Sequence, residues 1–222
     1  MFVGHFAIAL GAKRTVPDIS LGALVAATFL IDLLWPVTLI AGLETVRIDP
    51  GNTAFTALAF EHYPITHSLL MSALWALLAG GVAYGLKRNL RLAVVIATLT
   101  MSHWVLDFIT HAPDLPVAFG DTKVGLGLWN SIPATIAIEG GIYALALWMY
   151  LRQTRAKDSI GTWAFASLAC VSFVIWISQP WSPPPPNASA VAYVGLAMLA
   201  LPIWAHWADK HRSPASENEI RK

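Results

Sequence analysis

Long apolar stretches separated by short polar segments run through most of the chain. A bilayer core needs about 20 apolar residues for each helix that crosses it. Six stretches reach that length and predict transmembrane helices: residues 21–43, 66–86, 92–111, 132–151, 162–181 and 191–207. A shorter apolar run, residues 2–12, predicts a short N-terminal helix that dips into the membrane or packs against the bundle. The pattern therefore predicts an all-α polytopic membrane protein.

The composition supports this fold class and excludes several others. Of the 222 residues, 56% are hydrophobic and only 12% are charged, whereas a soluble domain has about 25% charged residues. That shortage of charge excludes a disordered chain, a coiled coil and a nucleic-acid-binding protein. The lone Cys170 excludes an intrachain disulfide and a thiolate metal site.

The basic residues predict the orientation, because cytoplasmic loops are rich in Lys and Arg. With six crossings, only Arg47 and Lys123 fall on one side. The other side receives Lys13, Arg14, Lys87, Arg88, Arg91, Arg152, Arg155, Lys157, Lys210, Arg212, Arg221 and Lys222. We expect that side, with both termini, to be cytoplasmic. The chain is interpreted as one transmembrane domain, residues 1–210, followed by a polar cytoplasmic tail, residues 211–222.

Ionisable side chains inside the predicted spans point to a functional site, because such groups are costly in a membrane. The acidic ones are Asp32, Asp107 and Glu139. Histidines occur on or near the same spans at His5, His62, His67, His103 and His111. Counted from the ends of their helices, these residues can meet in a cavity between the midplane and the outer surface.

Spacing favours a metal site. His103, Asp107 and His111 stand at i, i+4 and i+8 and so share one helical face. Imidazole and carboxylate groups on successive turns can bind one metal ion. His62 and His67 could converge from a loop and a helix, since Pro64 favours a boundary between them, whereas on one continuous helix they would point apart.

Structural interpretations remain open beside the metal site. The His103, Asp107 and His111 group could be a hydrogen-bonded network that holds helices together. Asp32 could be a protonated carboxyl group, and Glu139, which precedes two glycines, could bond a neighbouring helix. A second cluster, made of His206, Asp209 and His211, lies at the predicted cytoplasmic end among basic residues, where we expect solvated interfacial side chains.

Several short motifs occur in a suggestive order. Gly4-His5-Phe6 comes first, followed by Asp32 in the first span, the His-x4-His-Ser segment 62–68 and the Ser-His-x3-Asp segment 102–107. Over residues 1–111 the chain resembles the LexA-binding, inner-membrane-associated hydrolases, a bacterial family also described as membrane-bound metal-dependent hydrolases. The resemblance implies histidine ligands at His5, His67 and His103, with His62 opening its segment, and aspartates at Asp32 and Asp107.

The chain departs from that family at two places. The family's Leu-Pro-Asp-Ile-Asp segment reads Phe-Leu-Ile-Asp-Leu-Leu-Trp-Pro here, over residues 29–36, so one carboxylate is missing. The Arg-Gly pair that usually follows the first histidine of the His-x4-His segment is Tyr63-Pro64, which removes a cation that could hold a phosphate.

The leading hypothesis is a multi-pass metal-dependent hydrolase of the bacterial inner membrane, with its site open to the periplasmic side. We expect zinc, with manganese as the alternative divalent cation, bound by residues of the set His5, Asp32, His62, His67, His103, Asp107 and His111. Glu139 is predicted to be the general base, and Asp107 the second catalytic residue. The expected partner is membrane lipid, as an amphiphilic substrate with a lipid or lipid-linked (phospho)ester.

Two alternatives come from other functional classes. The same His, Asp and Glu residues could form the relay of a proton- or cation-coupled transporter or of an ion conductor. That function needs polar access from the cytoplasm, for which Thr98, Thr100 and Ser102 are the candidate groups. A metal-stabilised structural or binding protein without turnover is the third hypothesis.

Overall fold

Helices make up most of the chain in the computed structural model, which describes residues 1–215. Five apolar helical lengths in that part of the chain are long enough to cross a membrane. They are α5 (Leu69–Lys87), α6 (Leu90–Thr110), α7 (Ile132–Gln153), α8 (Ser159–Ser178) with its 3-10 extension Gln179–Trp181, and α9 (Ala188–Ala197) with α10 (Ala200–Lys210). The prediction of a multi-pass helical membrane protein is confirmed.

The first predicted span is broken into two helices. α2 (Leu21–Thr28) and α3 (Leu30–Ile40) meet at Phe29 with a bend of 54°. As one broken span they would raise the number of crossings to six. No Pro or Gly stands at the bend. The Thr28 hydroxyl donates to the Leu24 and Val25 carbonyls just before it, and side chains of α6 bond the carbonyls at it, as described below.

The short N-terminal helix α1 (Val3–Ala12) packs inside the bundle. Val3, Phe6 and Leu10 are at most 1% exposed, and α1 contacts α2, α6 and α7. Of the two arrangements predicted for this segment, the structure has the packed one. The burial brings His5, on the same helix, into the protein interior.

Within the described residues, three small antiparallel sheets, which the apolar pattern did not predict, lie at the two ends of the bundle. β1 (Thr45–Ile48) pairs with β2 (Leu58–His62), and β3 (Leu115–Pro116) pairs with β4 (Lys123–Val124). These hairpins follow α3 and α6 and define what we call the hairpin face. The third sheet joins β5 (Thr154–Ala156) after α7 to β6 (Arg212–Pro214) after α10, and it defines the opposite end, the clasp face.

The predicted polar tail, residues 211–222, begins as ordered structure. Arg212 is only 8% exposed, and its guanidinium donates hydrogen bonds to the Thr154 hydroxyl and the Gly161 carbonyl. Strand pairing with β5 orders residues 212–214 and buries Arg212, while Pro214 stays exposed. Residues 216–222 of the predicted tail lie outside the described residues.

In the cluster of His206, Asp209 and His211, which was expected to be solvated, Asp209 is buried. Its Oδ2 accepts hydrogen bonds from Lys13 Nζ at 2.6 Å and from the backbone N–H of Leu21 at 3.0 Å. Its Oδ1 accepts a third, from the Tyr150 hydroxyl at 2.8 Å. Asp209 is therefore buried and joins α1, α2, α7 and α10 near the clasp face, while His206 on the same helix is exposed as expected.

Candidate metal centre

The centre is built around His103 and Asp107, which lie one turn apart on α6. Both side chains are buried, and Asp107 Oδ2 lies 3.1 Å from His103 Nε2. Asp107 precedes the last residue of α6 by three positions, or about 5 Å along the helix. The site therefore lies roughly one helical turn inside the hairpin face.

The break between α2 and α3 fixes the orientation of His103. His103 Nδ1 lies 2.8 Å from the Thr28 carbonyl oxygen, and Thr100 donates its hydroxyl hydrogen to the Ala27 carbonyl. Because side chains of α6 bond these two carbonyls where the helix bends, the break is stabilised by α6. A carbonyl can only accept, so His103 Nδ1 carries a proton and Nε2 points away from Thr28, towards the carboxylates.

The second histidine, His67, ends the short helix α4 (Pro64–His67). Pro64 suits the first turn of a helix because its missing N–H would have no helical partner there. The turn follows β2 directly, and this connection brings His67 over the end of α6. His67 Nε2 lies 3.4 Å from Asp32 Oδ1 and 3.9 Å from Asp107 Oδ2.

Asp32 completes the arrangement from the first turn of α3. Its Oδ1 lies 3.5 Å from His103 Nε2, and its side chain is 23% exposed, whereas those of His67, His103 and Asp107 are at most 4% exposed. The bend at Phe29 directs this turn towards α6. Asp32 is thus the group through which the centre opens to its surroundings.

The nitrogen–oxygen distances among these four side chains are close to those of a tetrahedral cation site. The four N–O distances between the two imidazoles and the two carboxylates are 3.1, 3.4, 3.5 and 3.9 Å. In a tetrahedral site with ligand bonds of about 2.0–2.1 Å, neighbouring ligand atoms lie about 3.3 Å apart. His103 Nε2 is buried and makes no hydrogen bond to any described residue, although carboxylate oxygens approach it from two sides. Three of these side chains, Asp32, His67 and His103, offer ligand atoms that all lie within 4.8 Å of one another, and Asp107 approaches the two imidazoles beside them.

His5 contacts the same carboxylate from the opposite side. Its ring stacks on His103 with centroids 3.8 Å apart, and its Nε2 donates to Asp107 Oδ1 at 3.1 Å. The amino group of Met1 lies 2.5 Å from the same oxygen. Among residues 1–215, two overlapping groups have the spacing of metal ligands: His5, His103 and Asp107, and Asp32, His67 and His103.

Glu139 lies behind α1 and belongs to neither group. Its Oε1 accepts a hydrogen bond from the Gly4 N–H at 3.1 Å, which satisfies a donor at the beginning of α1. Its Oε2 is buried without a hydrogen-bond partner among the described residues. One oxygen is thus free to accept a proton, and the general-base role stays a prediction.

The structure does not bring His62 and His111 to this centre. His62 ends strand β2 and is exposed. α6 ends at Thr110, so the backbone at His111 is extended and the i+8 position no longer follows the helical face. His111 Nδ1 instead lies 2.9 Å from Asp114 Oδ1, and the ring packs against Trp129.

Tyr63 lies between the His111–Asp114 pair and the centre. Its ring contacts that of His67, with centroids 5.2 Å apart, and its hydroxyl donates to Asp114 at 3.2 Å. Burial, together with the nearby Asp114 carboxylate, raises the pKa of Tyr63 well above its usual range. The hydroxyl therefore stays protonated and acts as a hydrogen-bond donor in the wall of the site.

Sequence reasoning missed the groups that orient the ligands. They are the Thr28 carbonyl, the Thr66 hydroxyl and the buried carboxylate of Glu44. A carbonyl or a threonine has no sequence signature for such a role. Glu44 does have one, since it is an acidic residue directly after an apolar span and shortly before a candidate ligand segment.

Comparisons of the chain with models of protein families, with curated proteins and with solved structures find no match.

Proposed function

We propose that this protein is a membrane-embedded metal-dependent hydrolase. One observation supports this above all: two imidazole nitrogens lie 3.1–3.9 Å from two carboxylate oxygens, and three of the four side chains are buried. His67, His103, Asp32 and Asp107 would hold the cation, and the nitrogen–oxygen donor set favours zinc, with manganese as the alternative. As in the resemblance described above, we assign the chain to the inner-membrane metal-dependent hydrolases.

A bound divalent cation would supply a water of lowered pKa and a Lewis acid for a phosphoryl or acyl oxygen. The protein's own residues would bind the substrate, orient the ligands and accept the proton. Asp32, the partly exposed carboxylate, lies where a substrate would approach. Asp107 holds His5 and His103 through its two oxygens. Glu139 keeps one oxygen free and is our candidate to accept the proton, as a general base does.

The location of the centre suggests an amphiphilic substrate. It lies about one turn inside the hairpin face, and in a membrane it would therefore be near the level where the headgroups of one leaflet meet the acyl chains. The clasp face holds Lys13, Arg155 and Lys210, so we propose six spans with this face in the cytoplasm. The centre would then open to the periplasmic leaflet of a bacterial inner membrane, beside lipid or lipid-linked (phospho)esters.

The hydroxyl groups of α6 argue against the alternative of a proton or cation relay. The Thr100 hydroxyl donates to the Ala27 carbonyl, and the Ser102 hydroxyl donates to the Leu99 carbonyl. Thr98 is exposed on the outside of the helix. These groups therefore do not offer a polar path from the clasp face to the centre.

Hydrolysis in mixed micelles tests the proposal. We expect the zinc-loaded protein to release a water-soluble headgroup, phosphate or fatty acid from phosphatidylethanolamine or phosphatidylglycerol, detected by mass spectrometry. His103→Ala should lower the rate by at least roughly 100-fold, because the cation contributes several kcal/mol to transition-state stabilisation.

His62→Ala is the matched control, because His62 is exposed and belongs to neither group of candidate ligands, and we expect this variant to hydrolyse at the wild-type rate. Zinc binding without any product would support the structural or binding protein instead. Cation flux into proteoliposomes that requires Asp107 would support the transporter.

A further inference from the structure

Glu44 is a buried carboxylate next to the proposed centre. It lies between the end of α3 and the beginning of β1 and is 2% exposed. Its Oε1 accepts hydrogen bonds from the backbone N–H groups of Ile65 and Thr66, at 2.8 and 2.9 Å. Its Oε2 accepts from the Thr66 hydroxyl at 2.8 Å and lies 2.5 Å from the Thr38 hydroxyl, whose single hydrogen is shared with the Trp35 carbonyl. These partners are all neutral, so none of them cancels the charge of Glu44.

The direction of the hydrogen bonds around Thr66 fixes the position of one proton. An ionised carboxylate only accepts, so the single hydroxyl hydrogen of Thr66 points to Glu44. The Thr66 oxygen, 2.8 Å from His67 Nδ1, must then accept a hydrogen from that nitrogen. His67 therefore carries its proton on Nδ1, which leaves the lone pair of Nε2 directed to Asp32 and Asp107.

We propose that Glu44 is a positioning residue of the metal centre and acts on His67 through the Thr66 hydroxyl. The three groups form a carboxylate–hydroxyl–imidazole relay that holds the ring in the ligating tautomer and makes Nε2 a stronger donor to a cation. Such partners of ligating histidines typically change metal affinity 10- to 100-fold. The inference rests on the proposed function only through its metal site and does not need hydrolysis.

The relay also makes the two histidines unequal. His103 donates its Nδ1 proton to a neutral backbone carbonyl, whereas His67 donates to a hydroxyl that is polarised by a buried negative charge. Charge-assisted hydrogen bonds are about twice as strong as neutral ones. Because Glu44 belongs to the connection after α3, the relay links the hairpin face to the ligands.

Two substitutions break the relay in different ways. In Glu44→Gln, the amide NH₂ can donate to the Thr66 oxygen, which turns the hydroxyl hydrogen towards His67 and favours a proton on Nε2, where it blocks ligation. Thr66→Val keeps the shape of the side chain and removes the hydroxyl group. Thr66→Ser keeps the hydroxyl, and Thr38→Val removes a donor to Glu44 without touching the relay.

Zinc affinity, measured on the full-length protein in detergent by competition with a chromophoric chelator, tests the inference. We expect Glu44→Gln and Thr66→Val to weaken zinc binding by roughly 10- to 100-fold. Thr66→Ser and Thr38→Val should stay within about threefold of the wild type, since the relay is intact. Nitrogen-15 NMR of the histidine side chains should report a proton on Nδ1 of His67 in the zinc-free wild type and a shift to Nε2 in Glu44→Gln.

The outcomes separate this inference from the proposed function. If the wild type binds zinc and His103→Ala abolishes binding, but Glu44→Gln and Thr66→Val bind as tightly as the wild type, the relay is refuted and the metal centre stands. If the wild type binds no zinc, both fail. Should Glu44→Gln not fold, the comparison of Thr66→Val with Thr66→Ser decides, because equal affinities would overturn the relay.

Discussion

Replacing Asp107 by asparagine should remove the cation from the protein. Asp107 lies beside three buried histidines: Oδ1 lies 3.1 Å from His5 Nε2, and Oδ2 lies 3.1 Å from His103 Nε2 and 3.9 Å from His67 Nε2. Asparagine preserves the volume but offers a neutral oxygen and an NH₂ group that a cation repels. We expect bound zinc to fall from about one per chain, the value for a single site, to the background of metal-free protein.

Elemental analysis of the detergent-purified variant beside the wild type measures this effect. Asp114→Asn is the matched control, because Asp114 lies at the same face but bonds His111 and Tyr63 instead of the centre. It should retain the zinc content of the wild type. A wild-type zinc content in Asp107→Asn would contradict the assignment of this carboxylate as a ligand, provided that both variants elute as folded, monodisperse protein.

Removing Asp209 should strongly destabilise the fold without affecting the metal. The ion pair between Lys13 and Asp209 is 2.6 Å long, with the two side chains 8% and 9% exposed. Deleting one member of a buried pair leaves an uncompensated charge and costs about 3–5 kcal/mol. Asp209→Ala should therefore lower the free energy of unfolding by about that amount, measured by denaturant titration in micelles.

Two controls distinguish loss of the ion pair from a general loss of stability caused by any substitution at the clasp face. Asp18→Ala removes an exposed carboxylate near the same end and should have little effect. Replacing both partners by apolar residues, Lys13→Met with Asp209→Leu, should restore part of the loss, since neither charge then remains unpaired. A double variant no more stable than Asp209→Ala would show that other contacts of Asp209, such as those with Leu21 and Tyr150, provide the stability.

The helical spans could be predicted from the sequence, because the length of an apolar stretch is a local property of the chain. The predicted spans coincide with α5 to α10 to within a few residues. The break at Phe29 could not be predicted from the sequence, since neither Pro nor Gly marks it. It depends on His103 and Thr100 of another helix, which bond the carbonyls of α2. The sheets β3–β4 and β5–β6 were missed for another reason, since strands of two or three residues are too short to show an alternating pattern.

The candidate ligands were predicted in part because burial of ionisable groups has a recognisable cost. His5, Asp32, His67, His103 and Asp107 were singled out on this basis, and the structure brings them together. His111 was included on the assumption that α6 continues, and the helix ends at Thr110. Helix termini are the least certain feature of a sequence pattern, so an i+8 ligand near a terminus is the weakest of such predictions.

Asp209 illustrates the opposite failure. For a carboxylate among basic residues at the end of a span, the sequence predicts a solvated side chain, because it does not show which partner lies beside that carboxylate. The partner is Lys13, 196 positions away in the chain. Long-range pairing of this kind turns an interfacial charge into a buried connection between four helices, and only the tertiary structure reveals it.

The central claim is that His67, His103, Asp32 and Asp107 bind one divalent cation. Elemental analysis and zinc-edge X-ray absorption on the wild-type protein, purified in detergent and reconstituted with excess zinc, test it most directly. We predict about one zinc per chain with two imidazole nitrogens and two carboxylate oxygens at about 2.0–2.2 Å. A protein that holds no divalent cation after reconstitution, or a first shell without imidazole, would contradict the claim and leave the cluster as a hydrogen-bonded network between helices.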